Sequence, residues 1–281
     1  MRVGHERLGH LDCVAAGPEG ASRGLPLLLL HGLGGGAWCW ENFQQRLAER
    51  YGRRSYAPEL PYHGAGAGDG RLGDFSIETF ALFAAGALEA IGDAIVVGHS
   101  MGGLMAQKLA ESFDRAGYVF MASAPPWHLF RREYWPLWRW TLRQPARLLL
   151  HSLNQDPVLL SREMEDELIN HRMPPELRAA VYAKDVPDSG RAMVQMCGGR
   201  IYVDESQIHS PCVVAAGADD RLLPLADQRR LAAKYACPIE VFDRGHMLPI
   251  EPGWEEIADW LESWCAARES ARAVSTPAPE Y

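Results

Sequence analysis

Short apolar runs alternate with amphipathic stretches over the first 122 residues. Four of the runs predict buried strands, at Leu25 to Leu30, Arg54 to Ala57, Ala94 to Val97 and Gly117 to Ala122. Apolar positions recurring with helical spacing predict helices over Trp40 to Arg50 and Ser76 to Ile91. Strands that alternate with helices are typical of an α/β fold, in which right-handed crossovers place helices on both faces of a mostly parallel sheet.

The pattern changes between Pro125 and about Ser210, where segments rich in Arg, Trp and Leu predict helices without a clear strand. Alternation then resumes with the predicted elements Cys212 to Ala216, Leu225 to Tyr235, Ile239 to Phe242 and Trp254 to Arg268. We therefore predict a sheet core over residues 1–124 and 211–268, interrupted by a helical cap over 125–210. The Ser-, Ala- and Pro-rich residues 269–281 predict a disordered tail.

Composition narrows the class of protein. A chain of 281 residues with a formal net charge of −8 does not favour nucleic acid as a partner, and no apolar stretch is long enough to span a bilayer. The N-terminal residues lack an apolar leader, so we expect a cytoplasmic protein without a membrane partner. Its six cysteines are scattered, which predicts free thiols and no zinc site. Oligomeric state is not predicted.

The pentapeptide Gly98-His99-Ser100-Met101-Gly102 lies between a predicted strand and a predicted helix. G-x-S-x-G in that context is typical of a nucleophile elbow, where a tight turn exposes the serine and its flanking glycines permit close backbone approach. The pentapeptide by itself occurs often in ordinary strand-to-helix turns, so the assignment depends on the rest of the chain.

A nucleophilic serine needs a base, and the base needs an orienting carboxylate. Asp219 and Asp220 follow the predicted strand that ends at Ala216, and His246 follows the predicted strand that ends at Phe242. The chain order is therefore serine, acid, histidine, and all three lie where parallel strands end at a common edge of the sheet.

With these motifs the chain resembles esterase-like serine hydrolases of the α/β-hydrolase superfamily that carry a helical cap. The matching residues are His31-Gly32, the elbow at Ser100, the G-x-x-D-x-x-x-P run from Gly217 to Pro224, and Gly245-His246. The resemblance implies a Ser100–His246–Asp220 triad, with Asp219 as the second choice for the acid, and oxyanion donors in the backbone N–H groups of Leu33 and Met101. It also implies hydrolysis of a small ester or lactone through an acyl-enzyme, with no metal or organic cofactor.

Further residues are expected around this site. His31, Gly32 and His99 flank the predicted pocket, where the two histidines are expected to form supporting hydrogen bonds. Trp135 and Trp138 belong to an aromatic stripe that either packs within the cap or lines an apolar substrate pocket. His63 lies in a loop that the family usually writes Pro-Gly-His-Gly, and here Tyr62 replaces the glycine.

Other functions remain open. Gly32-x-Gly34-x-x-Ala37 with Glu59 fits a dinucleotide fingerprint, although that hypothesis explains neither the elbow nor Gly245-His246. The same triad could also serve a cofactor-free lyase, a carbon–carbon bond hydrolase or an acyltransferase. A ligand receptor on this fold would keep the pocket without rapid turnover.

Overall fold

A mixed eight-stranded sheet forms the centre of the computed structural model, which describes residues 1–64, 70–126 and 156–275. Its strands are β1 (Arg2–Leu8), β2 (Leu11–Gly17), β3 (Leu27–Leu30), β4 (Ser55–Pro58), β5 (Ile95–His99), β6 (Gly117–Met121), β7 (Cys212–Gly217) and β8 (Ile239–Phe242). They are ordered β1-β2-β4-β3-β5-β6-β7-β8. Strands β3 to β8 pair in parallel with one another, whereas β2 pairs antiparallel with both β1 and β4. The predicted mostly parallel sheet is confirmed.

Helices connect these strands and cover both faces of the sheet. They are α1 (Glu41–Tyr51), α2 (Ile77–Ile91), α3 (Met101–Ala110), α4 (Pro175–Tyr182), α5 (Gly190–Cys197), α6 (Leu225–Lys234) and α7 (Trp254–Ser275). A helical turn at Arg162–Met164 continues as a π-helix at Glu165–Ile169, and 3₁₀ turns lie at Ala37–Trp40, Gly70–Asp74 and Glu205–Gln207. None of the helices within the described ranges combines the length and apolarity that crossing a bilayer requires.

Alternating side chains of the central strands divide the core into two layers. Leu28 and Leu30 pack with α2, α3 and α6 on one face, whereas Leu27 and Leu29 pack with α1 and α7 on the other. Because successive side chains of a strand point to opposite faces, an all-leucine strand must be covered on both sides. This burial explains why β3 could be predicted from its unbroken apolar run.

The β1–β2 hairpin was not predicted. Six of the seven β1 residues are exposed, so the strand has no buried face and no apolar alternation in its sequence. It is held by backbone pairing along its whole length, from Arg2 opposite Gly17 to Leu8 opposite Leu11. Gly9, with φ of 57°, lies in the turn between the two strands.

The predicted disordered tail is wrong for residues 269–275, because α7 continues to Ser275. Glu269 accounts for the difference. Its carboxylate accepts hydrogen bonds from the guanidinium of buried Arg53 (2.6 Å) and from the backbone N–H of Leu25 (2.8 Å), while Arg272 pairs with Asp93 (2.8 Å). A polar composition suggested a tail, but these side chains attach the last turns of the helix to the core. Residues 276–281 lie outside the described residues.

Candidate active site

Ser100 occupies the predicted turn between β5 and α3, in a backbone conformation that non-glycine residues rarely adopt (φ 55°, ψ −117°). The turn is tight on both sides. A Cβ at Gly98 would lie 2.1 Å from the carbonyl oxygen of Gly102, and one at Gly102 would lie 2.3 Å from that of Leu30. Strain of this kind persists only where the surrounding structure imposes it, and here it presents the serine at the end of the central strand.

The loops after β7 and β8 bring an acid and a histidine together. The Nδ1–H of His246 donates to Asp220 Oδ2 at 2.8 Å, and Asp220 Oδ1 accepts from the backbone N–H groups of Leu222 (2.9 Å) and Leu223 (2.8 Å). Asp220 and His246 are both buried. Because the carboxylate engages Nδ1, the imidazole takes the tautomer that leaves Nε2 as an acceptor.

Asp219 points elsewhere. Its partly exposed carboxylate accepts from His171 Nε2 at 3.2 Å and lies 3.5 Å from the Arg172 guanidinium. These neighbours hold the pKa of Asp219 below its usual range despite the opposing effect of desolvation. Of the two candidate acids, only Asp220 contacts the histidine.

The loop that carries His246 is fixed by a residue that the sequence did not single out. Buried Glu251 accepts from the N–H of Gly245 (2.6 Å) and from that of Met247 (2.9 Å). Its carboxylate therefore holds the backbone on both sides of His246. The Nε2–H of His99 donates to the carbonyl oxygen of His246 at 2.9 Å. Burial and the neighbouring His246 lower the pKa of His99 to about 3, which keeps it a neutral donor.

The glycine-rich loop after β3 passes close to the serine, since a Cβ at Gly32 would lie 3.0 Å from that of Ser100. Leu33 follows in this loop, and Met101 is the first residue of α3, where backbone N–H groups have no partner within the helix. His31 Nδ1–H donates to the carbonyl oxygen of Gly32 at 2.9 Å, and burial together with His63 lowers the pKa of His31 to about 4. The loop leads into the 3₁₀ turn Ala37–Trp40, which continues directly into α1 at Glu41.

Asp188, from the segment between β6 and β7, ties this loop to His63. Its Oδ2 accepts from the N–H of Gly34 (2.8 Å) and from His63 Nε2 (3.1 Å), and its Oδ1 accepts from the N–H of Ser189 (2.6 Å). The Asp188 and His63 side chains are fully buried. Burial lowers the pKa of His63, but the bond and charge of Asp188 outweigh it and raise that pKa overall, while His63 in turn lowers the pKa of Asp188.

The loop that carries His63 contains a strained residue. Tyr62, which stands where the resembling family has glycine, adopts φ of 64°, a left-handed conformation that favours glycine. The departure in sequence therefore preserves the glycine-like backbone, and the Tyr62 ring packs edge-on against Phe75 at 5.2 Å.

The cavity beside Ser100 has two lobes, which meet at Ser100 and Leu33. The described residues give one lobe a largely apolar lining and the other several polar groups. The apolar lobe is lined by Ala124, Pro125, Met164, Met193, Met196, Cys197, Leu222 and Leu223. The second lobe, called the polar lobe for its polar groups, is lined by Gly32, Gly34, Gly35, Trp38, His99, Glu165, Asn170 and Asp185, together with Cys39, Leu159, Val181 and Met247. Leu160 and Ile169 contribute to both. Trp135 and Trp138, the predicted pocket aromatics, lie outside the described residues.

Comparison with known proteins identifies the family of the chain. A family model described as "Alpha/beta hydrolase family" matches residues 27–260, which is most of the chain. The chain belongs to the alpha/beta hydrolase family. It is 32% identical over 167 residues to proteins called "Probable esterase PIR7A" from two subspecies of Oryza sativa, a match that covers 54% of this chain and 62% of each relative. The chain therefore spans less than two thirds of the length of these curated relatives.

Solved structures share the fold at low sequence identity. A thermophilic esterase from Thermogutta terrifontis superposes with a TM-score of 0.70 at 19% identity, covering 96% of this chain and all of the other. The Arabidopsis methylesterase MES16 gives 0.65 at 19% identity, covering 85% of this chain and 98% of the other. In residues 1–64, 70–126 and 156–275, no group of three or more His, Cys, Asp or Glu side chains is arranged to hold a metal ion.

Proposed function

We propose that this alpha/beta hydrolase is a serine esterase that uses Ser100, His246 and Asp220. The observation that carries the proposal is the 2.8 Å bond between His246 and Asp220 on the loops after β7 and β8, at the same sheet edge as the strained Ser100 turn. The curated relatives named as probable esterases support ester hydrolysis.

In the proposed mechanism, Ser100 Oγ attacks the carbonyl carbon of the ester while His246 Nε2 accepts the hydroxyl proton. Asp220 orients the imidazole and stabilises its cation. The backbone N–H groups of Leu33 and Met101 donate to the developing oxyanion. The alcohol leaves with the proton from His246, and water activated by His246 then hydrolyses the acyl-enzyme to release the acid.

The apolar lobe favours a small hydrocarbon group on one side of the scissile bond, in an ester or a lactone. Its methionine and leucine side chains offer no charged partner to a polar substituent. We further propose that residues 125–210 act as a cap, since the helical segments after residue 160 supply lining to both lobes. The unpaired state of all six cysteines supports a cytoplasmic location.

Labelling with a fluorophosphonate followed by mass spectrometry tests the nucleophile. We expect the native chain to be modified on Ser100, and Ser100→Ala and His246→Ala to stay unlabelled. Labelling at another serine, or none on the folded native chain, would contradict the assignment and favour a receptor.

The adjacent residues Asp219 and Asp220 allow a matched test of which aspartate orients His246. Asp220→Asn removes the carboxylate on His246 and is expected to lower kcat for p-nitrophenyl butyrate by about 10⁴-fold, as the equivalent change does in a serine protease. Asp219→Asn, on the partly exposed side chain, is expected to change kcat less than about threefold. Equal effects of the two substitutions would refute Asp220 as the orienting acid. Product analysis then distinguishes hydrolysis from lyase and acyl-transfer chemistry.

A further inference from the structure

The polar lobe of the cavity contains two acidic side chains in contact with each other. Glu165 is buried and Asp185 is half-buried, and their carboxyl groups are hydrogen bonded to each other. Two carboxylates can form such a bond only when one of them carries the proton, so the pair shares a proton and keeps one negative charge.

The shared proton persists at neutral pH. Burial, with the charge and hydrogen bond of Asp185 and the charge of Asp166, raises the pKa of Glu165 to about 8, against the opposing charge of Arg162. Burial also raises the pKa of Asp185 to about 6, and its bond to Glu165 acts in the opposite direction. Deprotonating both would place two adjacent negative charges in a partly desolvated site.

The remaining negative charge has no cation at contact distance in the part of the chain that the structure describes. The ion pairs formed there include neither Glu165 nor Asp185. Two basic side chains of this region have other partners: Lys184 pairs with Glu41 (3.5 Å), and Arg162 lies over the ring of Tyr182 (4.9 Å). A partly desolvated charge without an ion-pair partner is unfavourable, so a cation entering the lobe would be stabilised.

Asn170 supplies a second, independent indication of a ligand. Its side chain is 1% exposed and lines the same lobe, and its Oδ1 has no hydrogen-bond partner among the described residues. Nearby, the Tyr182 hydroxyl donates to Asp166 and not to this oxygen. The Asn170 carbonyl oxygen is therefore an unused acceptor in the cavity wall.

The π-helix explains how these acceptors come together. Residues five apart lie about 140° apart around an α-helix, on different faces. The wider π-turn instead closes with a hydrogen bond from the N–H of Asn170 to the carbonyl oxygen of Glu165 at 2.6 Å, which places both residues in the same wall. Single π-turns of this kind recur at functional sites.

We propose that the lobe formed by Glu165, Asp185 and Asn170 binds a protonated amine of the ester substrate, while the apolar lobe holds the hydrocarbon part. The proposal rests on the proposed esterase function, because both lobes meet at Ser100. An N–H of the ammonium donates to the carboxyl pair or to Asn170 Oδ1, and the charge of the ammonium balances the unpaired carboxylate.

The test uses pairs of esters with the same shape that differ only in the cation. On the alcohol side the pair is 2-(dimethylamino)ethyl butyrate and 3-methylbutyl butyrate; on the acyl side it is methyl 4-(dimethylamino)butyrate and methyl 5-methylhexanoate. At pH 7 the amines are protonated. We expect kcat/KM to favour the cationic member of at least one pair by roughly ten- to a hundredfold, the range for a hydrogen bond to a charged group.

The variant that tests the lobe is Glu165→Gln/Asp185→Asn, which keeps shape and removes the charge. We expect its ratio of cationic to neutral kcat/KM to fall to about one; because a ratio is measured, the amount of folded enzyme cancels. Glu167→Gln, which removes an exposed carboxylate from the same π-helix, is the matched control and should retain the native ratio.

A native ratio of one or below in both pairs would overturn the proposal without any variant, and so would a ratio that the double substitution leaves unchanged. Failure of the esterase assignment is distinguishable from these outcomes. In that case neither member of either pair is hydrolysed and Ser100 is not labelled by the fluorophosphonate.

Discussion

Substitution of Asp188 by alanine tests whether one buried carboxylate holds the glycine-rich loop in place. The change removes the acceptor of three hydrogen bonds, from Gly34, Ser189 and His63, at 2.6 to 3.1 Å. Both members of the Asp188–His63 pair are fully buried. Removing one partner of a buried ion pair typically costs about 3–5 kcal/mol, because a charge and its donors are left unpaired. We expect a loss of that size in the free energy of unfolding.

The contribution of the Asp188–His63 pair to stability depends on pH in a defined direction. The pKa of His63 is raised on folding, so its contribution is complete below the unfolded value of about 6.5 and is lost as pH rises through the higher folded value. The pKa of Asp188 is lowered, so its contribution is present above the unfolded value of about 3.9 and is lost as pH falls through the folded one. The native chain should exceed the variant in stability most between about pH 4 and 6.5.

Urea denaturation of both proteins from pH 4 to 9 measures this difference. Asp219→Ala is the matched control, because it breaks a partly exposed aspartate–histidine contact and should cost less than about 1 kcal/mol. Esterase kcat should also fall in Asp188→Ala, since the loop that carries Leu33 loses the Gly34 bond. A loss below 1 kcal/mol, or a difference that grows above pH 7, would refute the reasoning.

Three further substitutions test the other anchors. Glu251→Gln deprives one of the N–H groups beside His246 of its acceptor; it should lower the free energy of unfolding by about 1.5–3 kcal/mol in urea, and kcat more than it raises KM. An unchanged kcat would show that the two hydrogen bonds of Glu251 do not position His246. Arg53→Met leaves Glu262 and Glu269 without their buried partner and should lower the free energy of unfolding by about 3–5 kcal/mol. Arg46→Met, in a more exposed pair with Asp259, should lower it by at most about 1 kcal/mol. Equal losses in the two variants would contradict the role of burial. Ala236→Gly, at an exposed position with φ of 47° after α6, should raise the melting temperature through a gain of about 0.5–1 kcal/mol, and a decrease would show that the residue is not strained.

Local pattern was sufficient for the elements whose burial is continuous or periodic. Strands β5, β6 and β7 were predicted to within about two residues, because parallel strands covered on both faces must be apolar throughout. Strand β8 was predicted at its observed bounds, although it is an edge strand with two exposed residues. The turn at Ser100 could also be foreseen, since the close approach of backbone at Gly98 and Gly102 requires glycine.

Contacts with distant parts of the chain decided the features that local pattern did not predict. Strand β1 has no buried face and forms only because β2 offers an edge, and the last turns of α7 are helical because Glu269 reaches Arg53, more than two hundred residues earlier. The residues alone left two adjacent aspartates as candidate acids, and the family resemblance favoured Asp220 over Asp219. Which carboxylate faces His246 depends on the conformation of the loop after β7.

The sequence by itself determined the layered sheet, the serine turn and the order of acid and histidine, because strand burial and tight turns constrain residue type locally. Only the tertiary structure decided which polar side chains meet. Asp188 joins the loop after β3, Glu251 brackets His246, and the Glu165–Asp185 pair enters the cavity. Each of these contacts joins segments that are distant in sequence, and neither segment by itself predicts its partner. Whether a charged residue is buried, and what it contacts, depends on the side chains that the fold places around it.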